Sequence, residues 1–232
     1  MSGGSKVTDD LREHYTPLAE GTELWHVFPS IYDPRAFNPK SLNRFALPPP
    51  PDRAMFYAGD SPECALWEAI LRNLVIEDRQ PQHIDPALVE GRSIAKLRLL
   101  QAVPVLDLRA PHFRRLSSDP DRQTDWQRLA VLPECDYGQT HRAARELLNA
   151  APKAAGLCWH SRQITAKTAY VFYSPPLASV NLDLIEVTAL DQSAGWALTD
   201  QALRVVGVER LGVSALVKEI LDELPPEEAD DL

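Results

Sequence analysis

The sequence predicts an α+β domain with a mixed or antiparallel sheet at its core and helices on the flanks. Two observations lead there: short segments of two-residue alternation outnumber the helical patterns between them, and nothing repeats at a fixed period. A third is size, since 232 residues with 44% hydrophobic content can bury one continuous core.

Taken in order, residues 1–21 are polar without a sustained apolar period and read as a loose arm or short helix. In residues 23–28, alternation sets Leu24, His26 and Phe28 on one face and Trp25 and Val27 on the other, as in a strand beside a core. Residues 48–51 are four prolines, a stiff spacer that neither a helix nor a sheet interior accepts. A strand over 54–58 follows, then a turn at Gly59 and Asp60. Ser61 is placed to cap a helix, Pro62 suits its first position, and Glu63 suits its positive end, so a helix is expected from Pro62 to about Asn73.

Further strands are expected over 93–100, 103–108, 156–161 and 168–173, with helices over 122–131 and 140–150, the second capped by Thr140. A strand over 203–208, a helix over 213–224 and a disordered acidic tail over 225–232 complete the pattern.

The formal charge of −9 disfavours direct binding of nucleic acid or anionic lipid, although a local basic patch for a small phosphate-bearing ligand is compatible with it. Cys64, Cys135 and Cys158 form no even framework, the first residues lack the apolar core of a secretory signal, and no run approaches a membrane span. A cytoplasmic, soluble protein is expected.

Within the helix after Ser61, Glu68 is the lone carboxylate between Cys64 and Leu71, where every neighbour is apolar. Such a group is either paired or placed at the surface, or it has a chemical task. Tyr57 ends the strand that feeds this helix, and Arg44 closes the proline-bounded loop before it, so the three can line one cleft. By composition alone Arg44 also reads as a surface cation and Tyr57 as a core aromatic. Cys158 and His160 supply only half of a zinc set, and adjacent strand residues point apart, so His160 does not pair with Ser161. Neither a dinucleotide-binding glycine motif nor a P-loop is present.

Five blocks, L-W-H-V-F (24–28), N-R-F (43–45), M-F-Y-A-G-D-S-P-E-C-A-L-W-E (55–68), V-L-D-L (105–108) and G-L-C-W-H-S-R (156–162), together resemble the RES domain. The resemblance covers roughly residues 22–175 of a domain spanning 22–224, with 176–224 as a C-terminal extension. The family takes its name from an arginine, a glutamate and a serine, matched by Arg44, Glu68 and Ser161, and Tyr57 matches a further site tyrosine.

The resemblance implies an ADP-ribosyltransferase-like fold and a toxin of a toxin–antitoxin pair. Such a toxin destroys NAD by hydrolysis or phosphorolysis, or transfers ADP-ribose to a protein. It implies NAD as substrate, inorganic phosphate as a possible second substrate, no resident cofactor, and a cognate antitoxin as partner. A degenerate RES fold that only binds is the third possibility.

Breaking the nicotinamide–ribose bond gathers positive charge on the sugar, which a fixed carboxylate stabilises; Glu68 fits that role. A guanidinium suits the pyrophosphate, Arg44 first and Arg162 as helper. Tyr57 offers an aromatic wall to the nicotinamide, and Ser161 one hydrogen bond to phosphate or ribose.

Overall fold

In a computed structural model, residues 11–49, 51–76 and 82–211 are described. The start of the arm, the helix expected over 213–224 and the acidic tail lie outside them. Eight strands form one sheet in the order β1-β5-β6-β7-β3-β2-β4-β8. They are β1 (Thr16–Leu18), β2 (Glu23–Pro29), β3 (Met55–Gly59), β4 (Arg92–Leu99), β5 (Val103–Asp107), β6 (Gly156–His160), β7 (Thr168–Tyr173) and β8 (Leu182–Ala189). The helices are α1 (Pro62–Ala69), α2 (Pro120–Val131), α3 (Tyr137–Ala150) and α4 (Ser193–Arg204). The β5–β6 pair is parallel and every other neighbouring pair is antiparallel, so the sheet is mixed.

Connection lengths force this sheet to curl. Only residues 100–102 separate β4 from β5, which stand near opposite ends of the strand order. So short a connection cannot cross a flat sheet. The inner face therefore closes on a core of Leu24, Phe28, Phe56, Leu97, Val105 and Phe172, making a half-barrel. On the outer face, α2 and α3 pack Trp126, Leu129, Ala144 and Leu147 against Leu157 and Val171. Farther along, α1 and α4 pack Leu66, Trp67, Ala202 and Leu203 against Ile94.

Ser61, Pro62 and Glu63 begin α1 as their types dictate, with the Ser61 hydroxyl accepting from the Cys64 N–H. The α-helix ends at Ala69 and continues as a 3-10 turn over Leu71–Asn73, a common way for a last turn to tighten. Gly59 permits α1 to lie directly on the strand end: a Cβ there would sit 2.8 Å from the Ala65 nitrogen and 2.9 Å from the Cys64 Cβ. Gly59→Ala is therefore expected to lower stability by about 1–3 kcal/mol in urea unfolding, as overpacking does. An unchanged midpoint would show that α1 can slide.

Three sequence expectations are corrected. The arm is not wholly loose, since Thr16–Leu18 pairs with Val103–Val105 as an edge strand. Thr140 does not cap α3, which starts at Tyr137; its hydroxyl lies inside the helix, donates to the Tyr137 carbonyl and accepts from the Phe45 N–H. The strand expected over 203–208 gives way to the end of α4, whose Thr199, Ala202 and Leu203 follow a helical period onto α1, with the Trp67 indole N–H bound to the Ala202 carbonyl at 2.9 Å.

The sequence reading also passed over β8. This edge strand leaves Leu184, Ile185 and Val187 exposed and carries a bulge opposite Lys96 and Leu97, so it never shows one apolar face. With β8 paired along β4 and α4 packed on α1, residues 182–204 are integral to the domain. No helix among the described residues is long and apolar enough to cross a membrane.

Candidate active site in a forked sheet

The site lies where β2 and β3 part. Their ladder holds one pair, Trp25 with Gly59. Farther along, Asn38 from the intervening loop takes the place of β2, exchanging both backbone hydrogen bonds with Met55 at 2.7 and 3.0 Å. Between these two points the Tyr57 carbonyl is met by the His26 side chain, with Nδ1 at 2.6 Å. A cavity of about 610 Å³ opens in the fork, within the range of small-molecule sites. Arg44, Tyr57 and Glu68 all line it, together with His26, Tyr137 and Trp159.

Glu68 is half-buried on the second turn of α1. Its Oε1 accepts two hydrogen bonds, from the Ser161 hydroxyl at 2.6 Å and the Arg162 backbone N–H at 2.9 Å. Among the described residues no cation comes within ion-pair distance of this carboxylate, and no donor is recorded on Oε2. The group is fixed by neutral donors and keeps one oxygen free. That arrangement differs from a structural salt bridge, in which a cation would occupy it.

Ser161 and Arg162 stand behind the carboxylate, not in the cavity wall. Ser161 is 1% exposed. Besides donating to Glu68, its oxygen accepts from the Gln163 and Ile164 N–H groups, which turns the chain sharply after β6. The Arg162 guanidinium reaches the Leu132 carbonyl at 3.5 Å.

Arg44 is 3% exposed despite lining the cavity. Its guanidinium donates to the Leu129 and Leu132 carbonyls, both at 2.8 Å, and lies 4.9 Å from the centre of the Tyr137 ring. These carbonyls lie at the end of α2, where Leu129 keeps only a long 3.4 Å bond from the Leu132 N–H and the helix dipole favours a cation. Burial lowers the guanidinium pKa, while Tyr137 and the Glu68 carboxylate act in the opposite direction. The next residue, Phe45, adopts the left-handed region at φ 57°. It is held there by hydrogen bonds from its N–H to Thr140 and to its carbonyl from the Tyr173 hydroxyl, and by ring packing on Trp159.

The Tyr57 hydroxyl is shielded from solvent near the Ser41 side chain, and neither it nor Arg44 Nε nor the Trp159 indole nitrogen makes a hydrogen bond of normal geometry to the protein. Burial pushes the Tyr57 phenol well above its usual pKa and keeps it a donor. All three atoms belong to residues that line the cavity. Lys40 and Arg72 line the same cavity.

His26, Tyr137 and Trp159 escaped the sequence reading. For His26 a signal existed, as the one polar residue on the apolar face of Leu24 and Phe28. Tyr137 and Trp159 carried none, because their nearness to Arg44 and Tyr57 is a product of chain crossing.

The thiols give a test of burial. Cys64, beneath Glu68, is pushed up to about 12 by burial and then by the Glu68 and Asp60 carboxylates, and Cys158 is raised by burial and Asp107. Raised values deplete the thiolate, so at pH 8 native protein should alkylate at exposed Cys135 alone. Rapid labelling of Cys64 would mean that α1 opens easily. Among the described residues no group of three or more His, Cys, Asp or Glu side chains is placed to hold a metal.

A curled, forked sheet with a hydrogen-bonded carboxylate and a buried guanidinium beside one cavity defines a cleft of small-ligand size. The RES domain model matches residues 23–204, and the chain belongs to that family. The match runs beyond residue 175 to include β8 and α4. Among solved structures, a chain in the crystal structure of the M. tuberculosis MbcT–MbcA toxin–antitoxin complex is similar, with TM-score 0.55 and 12% identity, covering 78% of this chain and 91% of that one. This likeness is one of fold. Comparison with curated proteins gave no match.

Proposed function

We propose that the protein cleaves the nicotinamide–ribose bond of NAD, as a phosphorylase or glycohydrolase, and serves as the toxin of a toxin–antitoxin pair. The observation that carries the reading is Glu68, fixed through Oε1 by Ser161 and Arg162 while Oε2 stays unpaired in a cavity shared with Tyr57 and Arg44. In this reading Oε2 meets the ribose hydroxyls or the developing positive charge. Held by neutral donors, the carboxylate has no cation paired with it among the described residues, and it need not reorganise during reaction.

Tyr57 stacks on or hydrogen-bonds the nicotinamide side of the ligand. Arg44 contributes a fixed positive field; with two of its donor positions engaged at the end of α2, and Arg72 tied to Asn43 and Glu134, Lys40 is the cation in the lining best placed to turn toward pyrophosphate or inorganic phosphate. Ser161 acts as a positioning residue and Arg162 through its backbone, with its guanidinium assisting Arg44 at Leu132. A cognate antitoxin would cover the cavity mouth. That partner is supported by family membership and by the fold of the toxin–antitoxin neighbour.

Incubating the purified chain with NAD and following free nicotinamide tests the reaction. Product masses with and without phosphate separate phosphorolysis from hydrolysis, and a mass increase on protein would reveal ADP-ribose transfer. A chain that leaves NAD intact under all these conditions would make the site a binding cleft only.

A further inference from the structure

We infer that His26 is a substrate-positioning residue whose Nε2 accepts a hydrogen bond from a neutral N–H or O–H group of the bound dinucleotide; this rests on the NAD reading above. The tautomer follows from geometry. Nδ1 lies 2.6 Å from the Tyr57 carbonyl, which can only accept, so Nδ1 carries the proton. Burial lowers the pKa of the ring to about 4, against the support of that carbonyl, so near neutral pH Nε2 bears a lone pair.

Nε2 has no hydrogen-bond partner among the described residues, and the side chain is partly exposed where it lines the cavity. The ring cannot readily turn away. It is stacked at 5.6 Å from Phe28, packed at 4.2 Å from Phe56 and tied to β3 by its own hydrogen bond. Such preorganisation removes most of the ordering cost of binding.

The chemistry recognised is narrow. A phosphate oxygen against this lone pair would be repelled, whereas Arg44, Lys40 and Arg72 welcome it elsewhere in the cavity. A ring whose pKa burial lowers is also a weaker proton acceptor at neutral pH, which favours orientation over general-base work. His26 thus sets which end of the ligand lies in the fork. NAD offers three kinds of fitting donor, the carboxamide N–H₂, the ribose hydroxyls and the adenine amino group.

The test uses the full chain with His26→Asn and His26→Gln. The asparagine amide can still donate to the Tyr57 carbonyl but has nothing at the Nε2 position; glutamine can return an acceptor there. For His26→Asn we expect KM for NAD to rise about tenfold, the value of one hydrogen bond, with kcat and melting temperature little changed. His26→Gln should recover part of the loss. Comparing NAD with nicotinic acid adenine dinucleotide, whose carboxylate has no N–H, narrows the donor: loss of discrimination in His26→Asn indicates the carboxamide, and equal losses on both substrates indicate a ribose hydroxyl or the adenine amino group. If both variants keep the wild-type KM, or lose stability alone, His26 only braces the fork and the inference fails while the NAD reading stands. If the wild-type chain neither binds nor cleaves NAD, the NAD reading falls and this assignment with it.

Discussion

Glu68→Gln should abolish most NAD cleavage while leaving the protein folded. The substitution keeps the side-chain volume and retains an oxygen that can accept from both Ser161 and the Arg162 N–H, so the contacts that hold the group survive. What disappears is the negative charge on the side facing the cavity. A transition-state interaction lost in this way lowers kcat with little change in ground-state binding, and a fall of about a hundredfold or more is expected for one well-aimed electrostatic group. No buried cation is stranded, since none lies within ion-pair distance among the described residues; the melting temperature should therefore move little. Nicotinamide release and thermal melting on one preparation check both halves. Unchanged turnover per folded molecule would remove Glu68 from the catalytic assignment.

Arg44→Ala should fail differently, through the fold first. The guanidinium supplies the short bonds to the Leu129 and Leu132 carbonyls, so truncation leaves them only the long bonds from the Leu132 N–H at 3.4 Å and the Arg162 guanidinium at 3.5 Å, and a void against Tyr137. Loss of two charge-assisted hydrogen bonds of this kind costs about 3 to 5 kcal/mol, a drop on the order of 10 °C in Tm for a domain of this size. Arg44→Lys keeps the charge yet can satisfy only part of the fork geometry, so it should fall between the two. An Arg44→Ala protein that melts like wild type and shows only a raised KM would instead make Arg44 a simple clamp on the ligand, as its motif position alone suggested.

The contrast between these variants shows how far a motif reaches. Arg44, Glu68 and Ser161 were legible as a set, yet their division of labour was not: Ser161 holds Glu68, and Arg44 holds α2. Both facts depend on residues distant in the chain, since 93 positions separate Ser161 from Glu68 and 85 separate Arg44 from Leu129.

By itself the sequence determined what local physics can encode. Two-residue alternation located β2 and most of the central strands, and Ser61, Pro62 and Glu63 started α1 so that Tyr57 and Glu68 flank one turn. It also marked Glu68 as an anomaly among apolar neighbours. Alternation failed where burial is one-sided or absent, at the exposed edge strand β8, and local propensity failed where packing decides, at the end of α4. Only tertiary structure could decide the cavity. It exists because β2 and β3 pair at a single point, because a loop strand replaces β2 at Met55, and because a sheet drawn round by three-residue and four-residue links brings Tyr137 and Trp159 to its wall. Those are facts of strand order and closure, which depend on which distant surfaces bury one another, and no window of neighbouring residues contains them.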